Sequence, residues 1–196
     1  MFDLVYPLYP APVYPRPSAE HPGIALAEAG EMLPLVEEGG AVYGQASRAW
    51  CHSGSMALHP VVHLHLLDRW GRFCLQKRSA DKDILPLRWD TSVGGHVTYG
   101  ETCLEALYRE ASEELGFTAF NPIYMGTSVW ETARDREFVV IYAAIGHPDL
   151  PVATPEVDEI RWWTGEEIDA ALGKNLFTPQ FEDEFIRLRS SLLALL

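Results

Sequence analysis

Apolar positions recur along this chain at two spacings, and the switch between them lays out its elements. Residues 60 to 68 (PVVHLHLLD) and 72 to 78 (RFCLQKR) predict two strands around a turn at Arg69-Trp70-Gly71. Upstream, MLPLVEE and AVYGQA are split by Gly39-Gly40 and predict a hairpin. Trp89 to Val93 predicts a short strand running into Gly94-Gly95. From Glu101-Thr102 onward the period changes: Leu104, Leu107, Ala111 and Leu115 recur at helical spacing. Strands are then predicted near Ile123 to Thr132, Glu137 to Ile145 and Val157 to Trp163. Helices follow at Gly165 to Leu172 and, after Thr178-Pro179, from about Gln180 onward. Helices and strands mix without regular βαβ alternation. This favours an α/β fold with a mixed β-sheet flanked by helices over a doubly wound one.

The two ends read differently from the middle. Prolines 7, 10, 12, 15, 17 and 22 exclude a regular helix in residues 1–22. That segment is an extended Pro/Tyr-rich arm, and its composition fits both a strap packed on the domain or a partner subunit and a disordered tail. Residues 23–58 form an N-terminal hairpin extension, and residues 59–196 the main domain. The arm and the apolar C-terminus (Leu192, Leu193, Leu195, Leu196) point toward a homodimer contact.

Composition narrows the function classes. The 196 residues suffice for one domain with extensions, and 47% hydrophobic with 22% charged content is globular. A net charge of -13 argues against a binder of nucleic acid polymers, whose phosphates it would repel. Most of that charge serves solubility. Cys51, Cys74 and Cys103 are far apart, odd in number and free of C-x-x-C spacing, so neither a disulfide framework nor a zinc ribbon is suggested. A reducing cytoplasm fits best. No apolar run approaches a membrane span, and no basic segment precedes an apolar one at the N-terminus.

Candidate chemistry concentrates in Gly95 to Phe117, GHVTYGETCLEALYREASEELGF. Glu110, Glu113 and Glu114 stand at i, i+3 and i+4, so their carboxylates share one helical face. Three like charges there repel one another, and a bound divalent cation with oxygen preference removes the conflict. A bare acidic run would read as a solvated face. Here Gly95, Glu101, Arg109 and Gly116 flank it in register, and together they fit G-x5-E-x7-R-E-U-x-E-E-x-G-U (U apolar) at every fixed position. By this signature the chain resembles the Nudix hydrolase family across roughly residues 60 to 170. The resemblance implies an α/β/α sandwich and hydrolysis of a diphosphate linkage with Mg²⁺ or Mn²⁺. The substrate class is a nucleoside diphosphate derivative or a related small organic diphosphate.

In that reading Glu113 and Glu114 are metal ligands, with the Gly94 carbonyl as a third. Glu110 is a further ligand or the group that orients and deprotonates water. Glu101 and Arg109 form an ion pair that preorganises the site. Arg78 and Lys82 hold the phosphates, and Glu137 is an extra base or ligand from outside the signature. Trp130, Trp162, Trp163 and Tyr142 are assigned to the core rather than to a base-stacking platform.

The run LQKRSADKDILPLRWDTSVGGHVTYGE also resembles type I isopentenyl-diphosphate isomerases and bacterial Nudix hydrolases near them. The resemblance implies that His52, His59 and His96, with Asp135 and Glu137, match a mixed nitrogen and oxygen metal site, suited to Mn²⁺, Zn²⁺ or similar ions. His63 and His65 fall on one strand face and are assigned to packing. The isomerases carry a cysteine where this chain has Gly94, and they lose part of the carboxylate set that is complete here. The chain therefore reads as a hydrolase on an isomerase-like frame. An isomerase and a diphosphate-binding module without turnover are the alternatives. Leu87 stands where the related pattern has glycine, and Ala111 is small for its place.

Overall fold

The computed structural model describes residues 30–196 except positions 83 and 152. The Pro/Tyr-rich arm and His21 lie outside the described residues, as does the start of the extension. Two compact units are present, one built from residues 30–62, 96–106 and 127–140, the other from residues 63–95, 107–126 and 141–196.

In the first unit, β1 (Met32–Val36) pairs antiparallel with β2 (Val42–Ser47). The turn between them passes through Gly39-Gly40. Leu33, Leu35 and Ala46 from this hairpin close a small core with Cys51 of α1 (Arg48–Cys51). Ser47 caps that short helix by accepting from the Trp50 amide.

Strands β3 (Leu58–Leu67), β4 (Phe73–Arg78), β5 (Trp89–Asp90), β6 (Val93–His96), β7 (Ile123–Glu131), β8 (Arg136–Ile145) and β9 (Val157–Trp163) form a seven-stranded mixed sheet. Its main path runs β5-β4-β3-β8-β7, with β6 on β3 and β9 on β4. The expected strand at Trp89 to Val93 is two strands, because the chain turns at Thr91-Ser92 and each half pairs differently. Every residue of β3 is buried, as suits a central strand covered on both faces.

Helices α2 (Cys103–Leu115), α3 (Gly165–Ala171) and α4 (Pro179–Leu193) complete the α/β fold. The start of α2 is a reciprocal cap: Thr102 Oγ1 accepts from the Glu105 amide, and the Glu105 carboxylate accepts from the Thr102 amide. Its end is set by Gly116 at φ +63, whose left-handed turn lets the Phe117 amide return to the Ala111 carbonyl. Leu107, Ala111 and Leu115 are buried as the periodicity predicts, but Leu104 is 44% exposed. Cys103 and Ala106 take the covered places in that first turn.

Thr178 caps α4 and Pro179 opens it, where a missing amide proton costs nothing. Phe181, Phe185 and Leu192 join Phe73, Leu75 and Trp163 in the main core of the second unit. Leu195 packs against the same core. Leu192 and Leu195 thus pack on this core, and Leu193 and Leu196 lie beside Gly71. The split at Trp89 to Val93 excepted, most element boundaries fall within two residues of the sequence reading, because capping and turn signals are local.

Candidate active site

Three neighbouring positions on α2 meet three environments. Glu113 is half exposed, Glu110 mostly covered, and Glu114 buried. The Arg109 guanidinium donates to Glu110 Oε1 at 2.7 Å and to Glu113 Oε2 at 3.3 Å. Glu114 is held instead by neutral donors: Gln76 Nε2 on β4 at 2.7 Å and the Gly94 amide on β6 at 2.9 Å. Both act on Oε2, so Oε1 is the oxygen that faces no donor among the described residues. Burial pushes the Glu114 carboxyl up to about 8. The Gly94 amide opposes this, and the nearby Glu110 charge adds to it.

The glycine pair before this helix has a steric reason. A Cβ at Gly95 would overlap the Glu110 carboxylate, so that side chain lies directly on the Gly95 backbone. Only glycine admits this approach. Gly94 is less constrained, since a Cβ there would meet His63 Cδ2 at 3.4 Å and Nε2 at 3.5 Å.

These residues fit a hard divalent cation. The donors are carboxylate oxygens, one is buried with a raised affinity for positive charge, and the glycine cradle leaves room for Glu110. Arg109 bonds Glu110 at 2.7 Å but touches Glu113 only through a long contact at an exposed i, i+4 pair, which contributes about 0.3–0.5 kcal/mol. Such a contact yields readily to an ion.

Other expected site residues are placed as follows. Arg78 donates to the Ile84 carbonyl at 3.0 Å and to Asp90 at 3.3 Å, and Lys82 bonds Glu156 at 3.1 Å. Glu101 Oε2 accepts from the Thr98 amide at 3.0 Å. Leu87 sits at φ +62, which is why glycine suits that position in the related pattern. Gln76 was not singled out by sequence reading. Its only signal there is an amide at the end of an apolar strand run.

In the first unit, His52, His59 and His96 converge with one ligand atom each within 4.8 Å of the others. His52 lies at the end of α1, His59 on β3 and His96 at the end of β6. His52 Nδ1 faces Asp135 Oδ2 at 2.6 Å, and its Nε2 lies 2.9 Å from His96 Nε2. His59 Nδ1 donates to the Ala57 carbonyl at 3.0 Å, leaving Nε2 buried without a hydrogen-bond partner among the described residues. Burial lowers the His59 imidazole to about 4, so it is neutral. A neutral imidazole with an orphaned inward nitrogen fits a metal ion. Asp135 stands behind His52 rather than among the ring nitrogens, and its other oxygen accepts from Thr132. Glu137 follows two residues later on β8.

His63 and His65 are buried on β3, as expected for packing residues, and both bond Glu184 of α4. Trp163 and Tyr142 are core residues; Trp130 and Trp162 are partly covered. All three cysteines are buried, and none is in a disulfide among the described residues.

The model of the NUDIX domain matches residues 57–185. The Nudix hydrolase YfcD of Escherichia coli K12 is 32% identical over 149 residues, covering 76% of this chain and 81% of the relative. The Nudix hydrolase SCO1686 of Streptomyces coelicolor is 29% identical over 170 residues, covering 84% and 92%. Among solved structures, DR0079 of Deinococcus radiodurans superposes with a TM-score of 0.66 at 26% identity, over 83% of this chain and 99% of that one.

Fold, glycine cradle and carboxylate helix thus define a metal-dependent diphosphate hydrolase. The chain belongs to the NUDIX domain family and is a Nudix-type hydrolase of small-molecule diphosphates.

Proposed function

We propose that this enzyme cleaves the diphosphate linkage of a nucleoside diphosphate derivative, with Glu110, Glu113 and Glu114 holding Mg²⁺ or Mn²⁺. The observation that carries the reading is Glu114: a buried carboxylate given two neutral donors on one oxygen and, among the described residues, no bonded cation. Such a group is costly unless a cation completes it. When bound, the ion supplies charge neutralisation at the phosphate and acidifies a coordinated water.

The chain's own residues supply the rest. Gln76 and the Gly94 amide fix the rotation of the Glu114 carboxylate, so its free oxygen is aimed before ligand arrives. Gly95 lets Glu110 lie close to the backbone, where it orients and deprotonates the attacking water. The Gly94 carbonyl is a further ligand. Arg109, with Glu101, steadies the glutamate set. Arg78 and Lys82 exchange their present acidic partners, Asp90 and Glu156, for the phosphates of the substrate. Glu137 is the carboxylate recruited from outside the signature.

A second metal site at His52, His59 and His96 is favoured by the orphaned His59 nitrogen, with Asp135 orienting His52. This is the isomerase-like feature of the frame. Isomerase chemistry itself is disfavoured. Gly94 offers no thiol, and burial pushes Cys51 and Cys74 up to about 12, so neither exchanges protons near neutrality. Three buried cysteines outside any disulfide among the described residues suit a reducing cytoplasm. A homodimer contact would involve the exposed Leu193 and Leu196 rather than Leu192.

The test is phosphate or nucleotide release from a panel of nucleoside diphosphate sugars, dinucleoside polyphosphates and isoprenoid diphosphates with Mg²⁺ or Mn²⁺. Release should disappear in Glu114→Gln. Folded, metal-supplied protein that releases nothing from the whole panel would refute the reading.

A further inference from the structure

The second unit contains a buried polar triad that the hydrolytic centre does not use directly. His63 and His65, two apart on β3, project to one face of the strand and meet Glu184 of α4. His63 Nδ1 donates to Glu184 Oε1 at 2.8 Å, and His65 Nε2 donates to Oε2 at 2.9 Å. The Glu184 side chain is 1% exposed, among Phe181 and Phe185 on the same helix. Apolar residues of similar volume would fill this place without desolvating a charge, often with no loss of stability. Stability alone therefore gives no reason for the triad.

Its geometry supplies one. With Nδ1 turned to Glu184, the opposite edge of the His63 ring, Cδ2 and Nε2, is turned toward the open side of Gly94. A Cβ placed on that glycine would be 3.4 and 3.5 Å from those two atoms. The Gly94 amide in turn donates to Glu114 Oε2 at 2.9 Å. Glu184 thus fixes the His63 ring, the ring flanks the space beside Gly94 at one Cβ's contact distance, and the Gly94 amide holds the Glu114 carboxylate. We infer that Glu184 is a positioning residue of the hydrolytic centre, acting through His63 on the Gly94 peptide that orients Glu114. The inference rests on the reading of Glu114 as a metal ligand.

The experiment titrates Mn²⁺ into the intact chain, in a His52→Ala background that removes the histidine cluster as a competing site. Glu184→Gln keeps the shape but removes one acceptor. The triple replacement His63→Leu, His65→Leu, Glu184→Leu removes the triad and leaves no buried charge, so it reports should Glu184→Gln fail to fold. Each variant is measured well below its own Tm. The Mn²⁺ Kd should rise about tenfold or more, the range seen when a group orienting a metal ligand is lost. A purely structural role would lower Tm and leave the Kd within about twofold, which overturns the inference. Glu114→Gln is the control. If it weakens Mn²⁺ and the triad variants do not, only the positioning role falls. If Glu114→Gln itself leaves Mn²⁺ binding unchanged, the assignment of the centre falls, and this inference with it.

Discussion

The carboxylate of Glu110 lies on the backbone of Gly95, fifteen positions earlier in the chain, so closely that no side chain fits between them. A signature glycine and a signature glutamate are thus one steric unit. Gly95→Ala should displace Glu110 while leaving the rest of α2 in place. A misplacement on the order of 1 Å costs about 10²-fold in turnover. Steady-state kinetics on folded Gly95→Ala should show that loss in kcat. Turnover equal to the parent would show that Glu110 is not held for catalysis.

Glu114 links metal to protons. Its folded value of about 8 lies above the ordinary 4.5. Protonation therefore stabilises the metal-free fold. That contribution is whole below 4.5 and is lost as pH rises through about 8. The Tm of metal-free protein should fall across this window, and Mn²⁺ should flatten the slope. Calorimetry in two buffers of different ionisation enthalpy should record about one proton released per ion near pH 7. Glu114→Gln should release none at this centre.

Leu87 occupies a left-handed conformation at φ +62 with its side chain 48% exposed. A non-glycine residue there carries about 1–2 kcal/mol of strain, partly offset by glycine's greater freedom when unfolded. Leu87→Gly should raise Tm by about 2–4 °C. An unchanged or lower Tm would mean that the Leu87 side chain has packing worth more than the strain.

Glu184 predicts the acid limb of stability. Burial works to raise its carboxyl, but the His63 and His65 imidazoles outweigh this and hold it well below the usual range. A depressed carboxylate contributes stability above its unfolded value of 4.5 and loses it as pH falls below that. Glu184→Gln should therefore unfold at lower Tm near neutrality yet show a shallower decline below 4.5. Parallel pH profiles for the two proteins would refute this.

The histidine cluster should bind metal independently of the glutamates. Glu114→Gln should retain Zn²⁺ at this site, whereas His52→Ala combined with His96→Ala should lose it. Asp135→Asn should weaken it by about 10–100-fold, as expected for loss of the group that orients His52. Metal content after dialysis, measured by mass spectrometry, decides between these outcomes. Zn²⁺ retained in the double histidine variant would place it elsewhere.

Much of this site was legible without coordinates because its signals are short-range. The carboxylates of α2 share a face by helical period alone, and Thr102, Glu105 and Gly116 mark the helix ends through contacts spanning a few residues. The isomerase resemblance pointed to a cluster of His52, His59 and His96. It did not reveal that Asp135 would face His52 Nδ1, since their contact spans 83 positions. Leu104 shows the limit on the helix itself: period assigns a face, but only neighbouring elements decide how far along that face is covered.

Amino-acid order alone was enough to specify an α/β fold with glutamates at i, i+3 and i+4, because secondary-structure period, capping and motif spacing are properties of adjacent residues, and the hydrolase reading came with the family resemblance of that motif. The folded chain was needed to rank those glutamates. Glu113 meets solvent, Glu110 rests on Gly95, and Glu114 is buried against Gln76 and Gly94. It was also needed to bring Glu184 to His63 across 121 positions. Burial, donor contacts and the resulting proton affinity arise from which surfaces close on one another, and no local pattern encodes that.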